Sequence, residues 1–600
     1  SLCAAFGSSY FGSCNSAVIS GRHSDLKQRG AMEQVHQRDH VPLLLRSLCD
    51  RGSTLQPENL IITKTSKGYN TVTLLEHQSR SLQLASSLQR WGVRFGDRVG
   101  TLMWNSAHHL QCYHAISCMG AVLHTLNLRL GPKDLGYIIE HAADRVIFCD
   151  ADLLQLLAKV DPKILAKVEL YVCCGADWAT GAYALPAELP AAKTADFETF
   201  LATGSADFVW PDVEETSLHA LCYTSGTTGV PKGAAYSQRS TYLHTITTAG
   251  ADQLGISGSD VVLPFVPMFH VLSWGVPFTT LMLGTRMVFT GRFMDPDSTL
   301  DAMLDWKVQF STGVPTVWQG VQAAITKRGV DKLAKELHLK TLTCGGSAPP
   351  AQMMQWYWDT LGVEFLQGWG MTETNPLGAL ARRVVKHCDL TKTPEELFSN
   401  IVKAGIPVPG VEVRIADSDN LDREVVRGQA GELLVRGPWI ITEYFQTSAS
   451  DKFHKGWLIT GDVAKLDNGG AIVITDRSKD VIKSGGEWIS SIDMENHISA
   501  LDEVAMAAVV AMPHPRWDER PVAIIMLAPG AGAGAADGIA ERVSAHCLKA
   551  FAKFQIPDDV LIWDEIPLTS TGKLDKKVMR DKLRSDGYVL PDLREPKSKL

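Results

Sequence analysis

Six hundred residues exceed what one hydrophobic core serves, so two or more domains are expected. With 45% hydrophobic and 21% charged residues and a net charge of -8, the chain reads as globular, and its charge excludes global attraction to nucleic acid or an anionic membrane. The 12 cysteines include no Cys-x-x-Cys pair, which argues against a zinc module and, in so long a chain, against a disulfide framework.

Residues 1–31 are rich in Ser, Gly and Cys and have no acidic group before Asp25. They are read as a leader outside the fold, either an organelle transit sequence or, preferably, residues ahead of a start at Met32. From "VPLLLRSLCDRG" onward, helical periodicity alternates with short β-branched runs such as "RVIFC", "KVELYV", "RMVFT" and "VEFLQ". This alternation predicts an α/β fold: a large N-terminal domain, 32–476, of mixed and parallel sheets flanked by helices. The uncharged run Val261–Thr285 is long enough to span a bilayer, but Pro264, Pro267 and Pro277 break it. A buried strand, loop and helix lining an apolar cavity is predicted there instead, and no transmembrane segment. At Asp476 the texture changes to a charged turn and then shorter elements, which predicts a smaller α+β C-terminal domain, 477–600, with "PGAGAGAADG" as an exposed loop. The chain ends Ser598-Lys599-Leu600, the tripeptide read by the peroxisomal import receptor, so a peroxisomal matrix location is expected, with mitochondrial or cytosolic alternatives.

The stretch "YTSGTTGVPKG" (223–233) invites comparison with a Walker loop, but Lys232 stands between Pro231 and Gly233, so the required Gly-Lys-Ser/Thr is absent. It offers instead the hydroxyls of Thr224, Ser225, Thr227 and Thr228 beside Gly226 and Gly229, a loop suited to the outer phosphates of ATP. Taken alone, a Ser/Thr/Gly turn explains it equally well.

Four further stretches follow in order: "QGWGMTET" (367–374), "GWLITGD" (456–462), "DRSKDVIKSGGEWIS" (476–490) and "PLTSTGKLDK" (567–576). Together the five resemble the signature motifs of the adenylate-forming superfamily of acyl-CoA synthetases, luciferases and peptide-synthetase adenylation domains, over nearly all of 40–585. The resemblance implies ATP, Mg²⁺ and CoA, with an acyl-adenylate intermediate. It implies that Glu373 and Thr224 bind the metal, that Thr372 bonds the α-phosphate, and that Trp369, flanked by Gln367 and Gly368, faces the adenine opposite Gly346, Ser347 and Ala348. Asp462 is implied to accept the ribose hydroxyls, assisted by Arg477, with Lys483 reaching a phosphate or ribose oxygen. Lys573 resembles the mobile lysine of the small domain. Lys479 falls at the hinge position of a mobile lid, whose second pose brings Gly485, Gly486 and Trp488 to the pantetheine. Some relatives dimerise through the large domain, which makes a homodimer the implied oligomer.

The segment "VPMFHVLSWGVPF" (266–278) resembles that of medium- and long-chain fatty-acyl-CoA synthetases, which implies that His270 lies near the carboxylate, Trp274 gates the acyl tunnel and Val271 lines it. Val271 and Phe278 are equally well read as core. "TGVPTVW" (312–318) also matches this branch. After the Gly-rich loop, relatives commonly read Ser-His-Arg, whereas this chain has Ser237-Gln238-Arg239. The function implied is a fatty-acyl-CoA synthetase for medium to long chains. The alternatives are a ligase for a short or sulfur-containing acid such as methylthiopropionate, a luciferase-like oxygenase, or a non-catalytic lipid-binding protein.

Overall fold

The computed structural model describes residues 41–600 apart from 176, 178–182, 225–229, 383–392, 394–397, 400, 486, 529–533, 535, 570–572 and 592–600. The predicted leader, Ser225, Gly226, Thr227, Thr228 and Gly229 of the hydroxyl-rich loop, Gly486, the side chain of Trp488 and the terminal Ser598-Lys599-Leu600 lie outside the described residues.

Two parallel-centred sheets carry the large part. In the first, Thr194–Asp196, Leu170–Cys174, Val146–Asp150, Arg98–Leu102, Val122–Thr125 and Leu218–Tyr223 run parallel, and Gly233–Ser237 closes one edge antiparallel. Runs such as Leu170–Cys174 are buried at every position, as strands covered on both faces require. The second sheet has nine strands. Its centre, Glu364–Gly370, Thr341–Cys344, Phe310–Gly313, Val261–Pro264, Arg286–Phe289 and Leu60–Thr65, is parallel.

Helix Ala107–Cys118 contacts strands of both sheets, and all 12 of its residues are buried. Its polar members persist there by finding partners: His109 reaches the Trp104 carbonyl at 3.1 Å and Thr101 Oγ1 at 3.0 Å. Across Val261–Thr285 the expected strand, turn and helix are present, as Val261–Pro264, Val271–Gly275 and Val276–Leu283. Among the described residues no helix is long and apolar enough to cross a membrane.

A third, antiparallel sheet of six strands ends in the pair Trp457–Leu466 and Ile472–Arg477. Beyond it lies the smaller α+β part, centred on the hairpin Val504–His514 and Asp518–Leu527. The two-residue period of a strand sorts its side chains: Ala507, Val509 and Ala511 pack with Met494, Ile498 and Val543, whereas Ala508, Val510 and Met512 pack with Met579 and Leu583.

Candidate active site

The parallel strands Phe310–Gly313, Thr341–Cys344 and Glu364–Gly370 end at a cavity of about 1040 Å³, the position where open α/β sheets bind ligands. Of the predicted residues, Thr224, Lys232, His270, Val271, Trp274, Gly346, Ser347, Ala348, Gly368, Trp369, Thr372, Glu373, Arg477, Lys479 and Lys573 line it. Residues more than three hundred positions apart thus share one wall.

Thr224 and Lys232 meet because they close the hairpin between Leu218–Tyr223 and Gly233–Ser237: the Thr224 amide donates to the Lys232 carbonyl at 2.9 Å. The Glu373 carboxylate is buried and accepts a hydrogen bond from Tyr444 Oη at 2.6 Å, while Lys232 Nζ lies 5.3 Å from the centre of the same tyrosine ring. Tyr236 Oη donates to the Thr372 carbonyl at 2.6 Å, fixing the turn from the other side. Neither tyrosine was legible as a site residue, since Tyr444 is 71 positions and Tyr236 136 positions from its partner.

Trp369 Nε1 donates to Asp462 Oδ2 at 3.0 Å, and Arg477 Nε pairs with Asp462 Oδ1 at 2.8 Å. Asp462 and Arg477 are cross-strand partners, so the sheet itself sets this pair. Each carboxylate oxygen keeps a further lone pair, so two more donors can still be accepted. The Trp369 ring lies against Gly378, where a Cβ would come within 2.4 Å of it.

Trp274 stands on a left-handed turn: Val271, Leu272, Ser273 and Trp274 have φ of 33, 42, 50 and 57°, followed by Gly275 at 75°. Its ring covers Gly345, where a Cβ would meet it at 3.0 Å. Gly275 faces His244, whose Cε1 would lie 2.7 Å from a Cβ there.

Lys573 reaches the cavity from the small part, with Cε 3.7 Å from where a Cβ on Gly346 would sit. Burial pushes its ammonium down to about 8, the Arg477 and Lys479 charges add to this, and Asp462 and Glu373 oppose it. Burial, with Lys573 and Arg129 nearby, pushes His270 down to about 3. His270 is therefore a neutral imidazole at neutral pH.

Other predicted residues fall outside the lining. Asp462 is buried directly behind Trp369. Gln367 is buried with its Oε1 unpartnered. Lys483 and Gly485 sit on the hairpin Ile482–Ser484 to Glu487–Ile489; the Lys483 amide donates to Glu519 Oε2 at 2.9 Å and the Gly485 amide to the Trp517 carbonyl at 2.9 Å. Phe278 is core, packed on Tyr113 and His219. Gln238, at the position where relatives carry His, is a buried bracket: its Oε1 accepts from the Leu45 amide at 3.0 Å and its Nε2 donates to the Ser117 carbonyl at 2.7 Å.

The cavity joins Thr224 of the hairpin, a buried carboxylate, an aromatic wall and a lysine from the smaller part, a set with the donors and charge to accommodate a phosphorylated ligand. The model of the AMP-binding enzyme family matches residues 50–445, and that of the AMP-binding enzyme C-terminal domain matches 493–573. The chain belongs to this family. It is 39% identical over 549 residues to the 3-methylmercaptopropionyl-CoA ligase of Ruegeria lacuscaerulensis, covering 90% of this chain and 98% of that one. It is 36% identical over 553 residues to the medium-chain-fatty-acid--CoA ligase of Ectopseudomonas oleovorans, covering 91% and 98%. The solved structure of an anthranilate CoA ligase with anthranoyl-AMP shares the fold at a TM-score of 0.78 and 22% identity, covering 91% and 99%. The protein is an AMP-forming acid–thiol ligase that makes an acyl-CoA through an acyl-adenylate, with ATP and CoA as substrates. These relatives also correct the expected peroxisomal location. The ligases at 36–39% identity are bacterial and not peroxisomal, and a terminal tripeptide is too short a signal to stand against them. The peroxisomal import receptor is withdrawn as a partner with it.

Proposed function

We propose that the protein activates an aliphatic carboxylic acid of the fatty-acid type. The observation that carries this reading is the convergence of Lys573, Glu373 and the apolar wall of Val271, Trp274, Val276 and Leu254 on one cavity. The acid's tail lies along that wall, where each buried methylene contributes about 0.8 kcal/mol. Its carboxylate oxygen attacks the α-phosphorus of ATP, and the bond to pyrophosphate breaks. The Lys573 ammonium and the Thr372 turn offset the charge that accumulates between two anions. The CoA thiol then attacks the acyl carbon, and AMP leaves.

Glu373 and Thr224 would hold Mg²⁺: a buried carboxylate held by a tyrosine hydroxyl, with a threonine on the phosphate hairpin, is a hard-oxygen set that leaves coordination positions for phosphates and water. The metal would supply charge neutralisation at the phosphates. Trp369, Gly346, Ser347 and Ala348 enclose the adenine, and Asp462 with Arg477 holds the ribose. Lys479 is the pivot of the small domain, and the present arrangement, with Lys573 in the cavity and the Lys483–Gly485 hairpin outside it, is the adenylating one. Rotation brings Gly485, Gly486 and Trp488 to the pantetheine.

Purified protein given ATP, Mg²⁺, CoA and straight-chain acids from C4 to C20 is expected to release AMP and pyrophosphate. Release with none of them would overturn the assignment of the acid.

A further inference from the structure

Among the described residues, one group of soft metal ligands stands together: the sulfurs of Cys49 and Cys118 and a ring nitrogen of His114 all lie within 4.8 Å of one another. The three side chains are buried, and none lines the substrate cavity. They come from two packed helices, Cys49 from Leu45–Leu55 and His114 with Cys118 from Ala107–Cys118, where the i, i+4 spacing puts both on one face. The sequence holds no Cys-x-x-Cys pair, so only the packing of these helices assembles the set.

Hydrogen bonds decide which nitrogen of His114 is free to bind. Its Nε2 lies 3.1 Å from Asp50 Oδ1, and an ionised carboxylate only accepts, so Nε2 carries the proton and Nδ1 presents a lone pair. Asp50 is held in turn by Trp210 Nε1, which donates to its Oδ2 at 2.9 Å. A carboxylate behind a histidine in this way orients a metal-binding imidazole. On the other side, His77 Nε2 of helix Leu74–Trp91 stands 3.3 Å from His114 Nδ1, and His77 Nδ1 is buried without a partner. Two ring nitrogens facing at that distance share either a proton or a cation, since the nitrogens on a tetrahedral zinc are about 3.3 Å apart.

We propose that Cys49, Cys118 and His114 hold a structural Zn²⁺, with His77, at the edge of the set, as the fourth donor. Sulfur and imidazole select zinc over Mg²⁺, which takes oxygen ligands, so the site is independent of the one proposed at Glu373. Binding releases the two thiol protons to solvent, and the two thiolates cancel the charge of the ion, so no net charge is left among the buried ligands. Donors on a tetrahedral zinc stand about 3.3–3.8 Å apart, so closing the set takes shifts of about 1 Å. The ion ties three helices together, one of which, Leu45–Leu55, packs on the helix Val276–Leu283 that follows the Trp274 turn. A Cys49–Cys118 disulfide accounts for the sulfurs alone and leaves the His114 arrangement unexplained.

The test measures zinc by plasma mass spectrometry in the full chain refolded with one equivalent of Zn²⁺ and passed over a chelating resin. About one zinc per chain is expected, falling at least about fivefold in C49S/C118S and unchanged in C173A, which removes a buried thiol outside the set. Co²⁺ in place of zinc keeps the test open if the double variant does not fold. The wild type should then show a thiolate-to-cobalt charge-transfer band with the visible bands of tetrahedral cobalt, and C118S about half of the charge-transfer intensity. Less than about 0.1 zinc per folded chain, a full zinc content in folded C49S/C118S, or a cobalt spectrum without the charge-transfer band would overturn the proposal. A Cys49–Cys118 disulfide mapped in protein purified without reductant would overturn it as well.

Discussion

At the scale of single residues, the charge state of Lys573 decides the most. Its ammonium is pushed down to about 8 by burial and by Arg477 and Lys479, so in the free enzyme the cationic form is present below that value and is lost as pH rises through it. Because kcat/KM reports the free enzyme, adenylation measured by pyrophosphate exchange should fall above about pH 8; a flat profile to pH 10 would exclude the role. Lys573→Ala should abolish exchange with folding unchanged. Tyr444 holds Glu373, the proposed Mg²⁺ ligand, so on that proposal Tyr444→Phe should raise the Mg²⁺ concentration needed for half-maximal activity about tenfold, since partners behind a metal ligand set its affinity. Lys573 and Glu373 were legible in the sequence because each sits inside a dense motif. Tyr444 and Tyr236 were not, because a lone tyrosine acquires its place at the site only from neighbours that folding brings together.

At the scale of elements, the glycines beside the two tryptophans are the sensitive positions. A Cβ at Gly378 enters the space of the Trp369 ring at 2.4 Å, so Gly378→Ala should displace that ring, costing about 1–3 kcal/mol in denaturant unfolding and, on the proposed adenine contact, raising the KM for ATP. Gly275 combines a φ of 75° with a Cβ position 2.7 Å from His244 Cε1, so Gly275→Ala should cost about 2 kcal/mol or more, seen in denaturant unfolding. The alternation of strands and helices was legible from periodicity, as was the break of Val261–Thr285 by its prolines. The left-handed turn at Val271–Gly275 was not, because Val, Leu, Ser and Trp have no local preference for positive φ and only the surrounding packing holds them there.

At the scale of the whole molecule, the proposed pivot Lys479 is pinned on both sides. Asp480 pairs with Arg580 at 2.8 Å, and Asp476 accepts from the Ser491 amide at 2.7 Å and from Ser491 Oγ at 2.5 Å. The Asp476–Ser491 contact joins residues on either side of the pivot, so rotation must break it. Ser491→Ala should therefore shift the balance toward thiol transfer, lowering pyrophosphate exchange and raising thioester formation from preformed acyl-adenylate, each about fivefold. The existence of a second domain was legible from the change of texture at Asp476, but this lock was not, since it depends on how the helix Ser491–Ile498 docks against the strand Ile472–Arg477.

The shared wall of the cavity also has a history in time. Thr224, Trp369 and Glu373 emerge during synthesis well before Lys573, and large proteins fold domain by domain from the N-terminus as they are made. On the proposed role of Lys573, a nascent chain halted near residue 560 would carry most of the cavity lining yet lack the ammonium that acid activation requires. The charge that activates the acid would then be made last, after most of the surfaces proposed to enclose the adenylate.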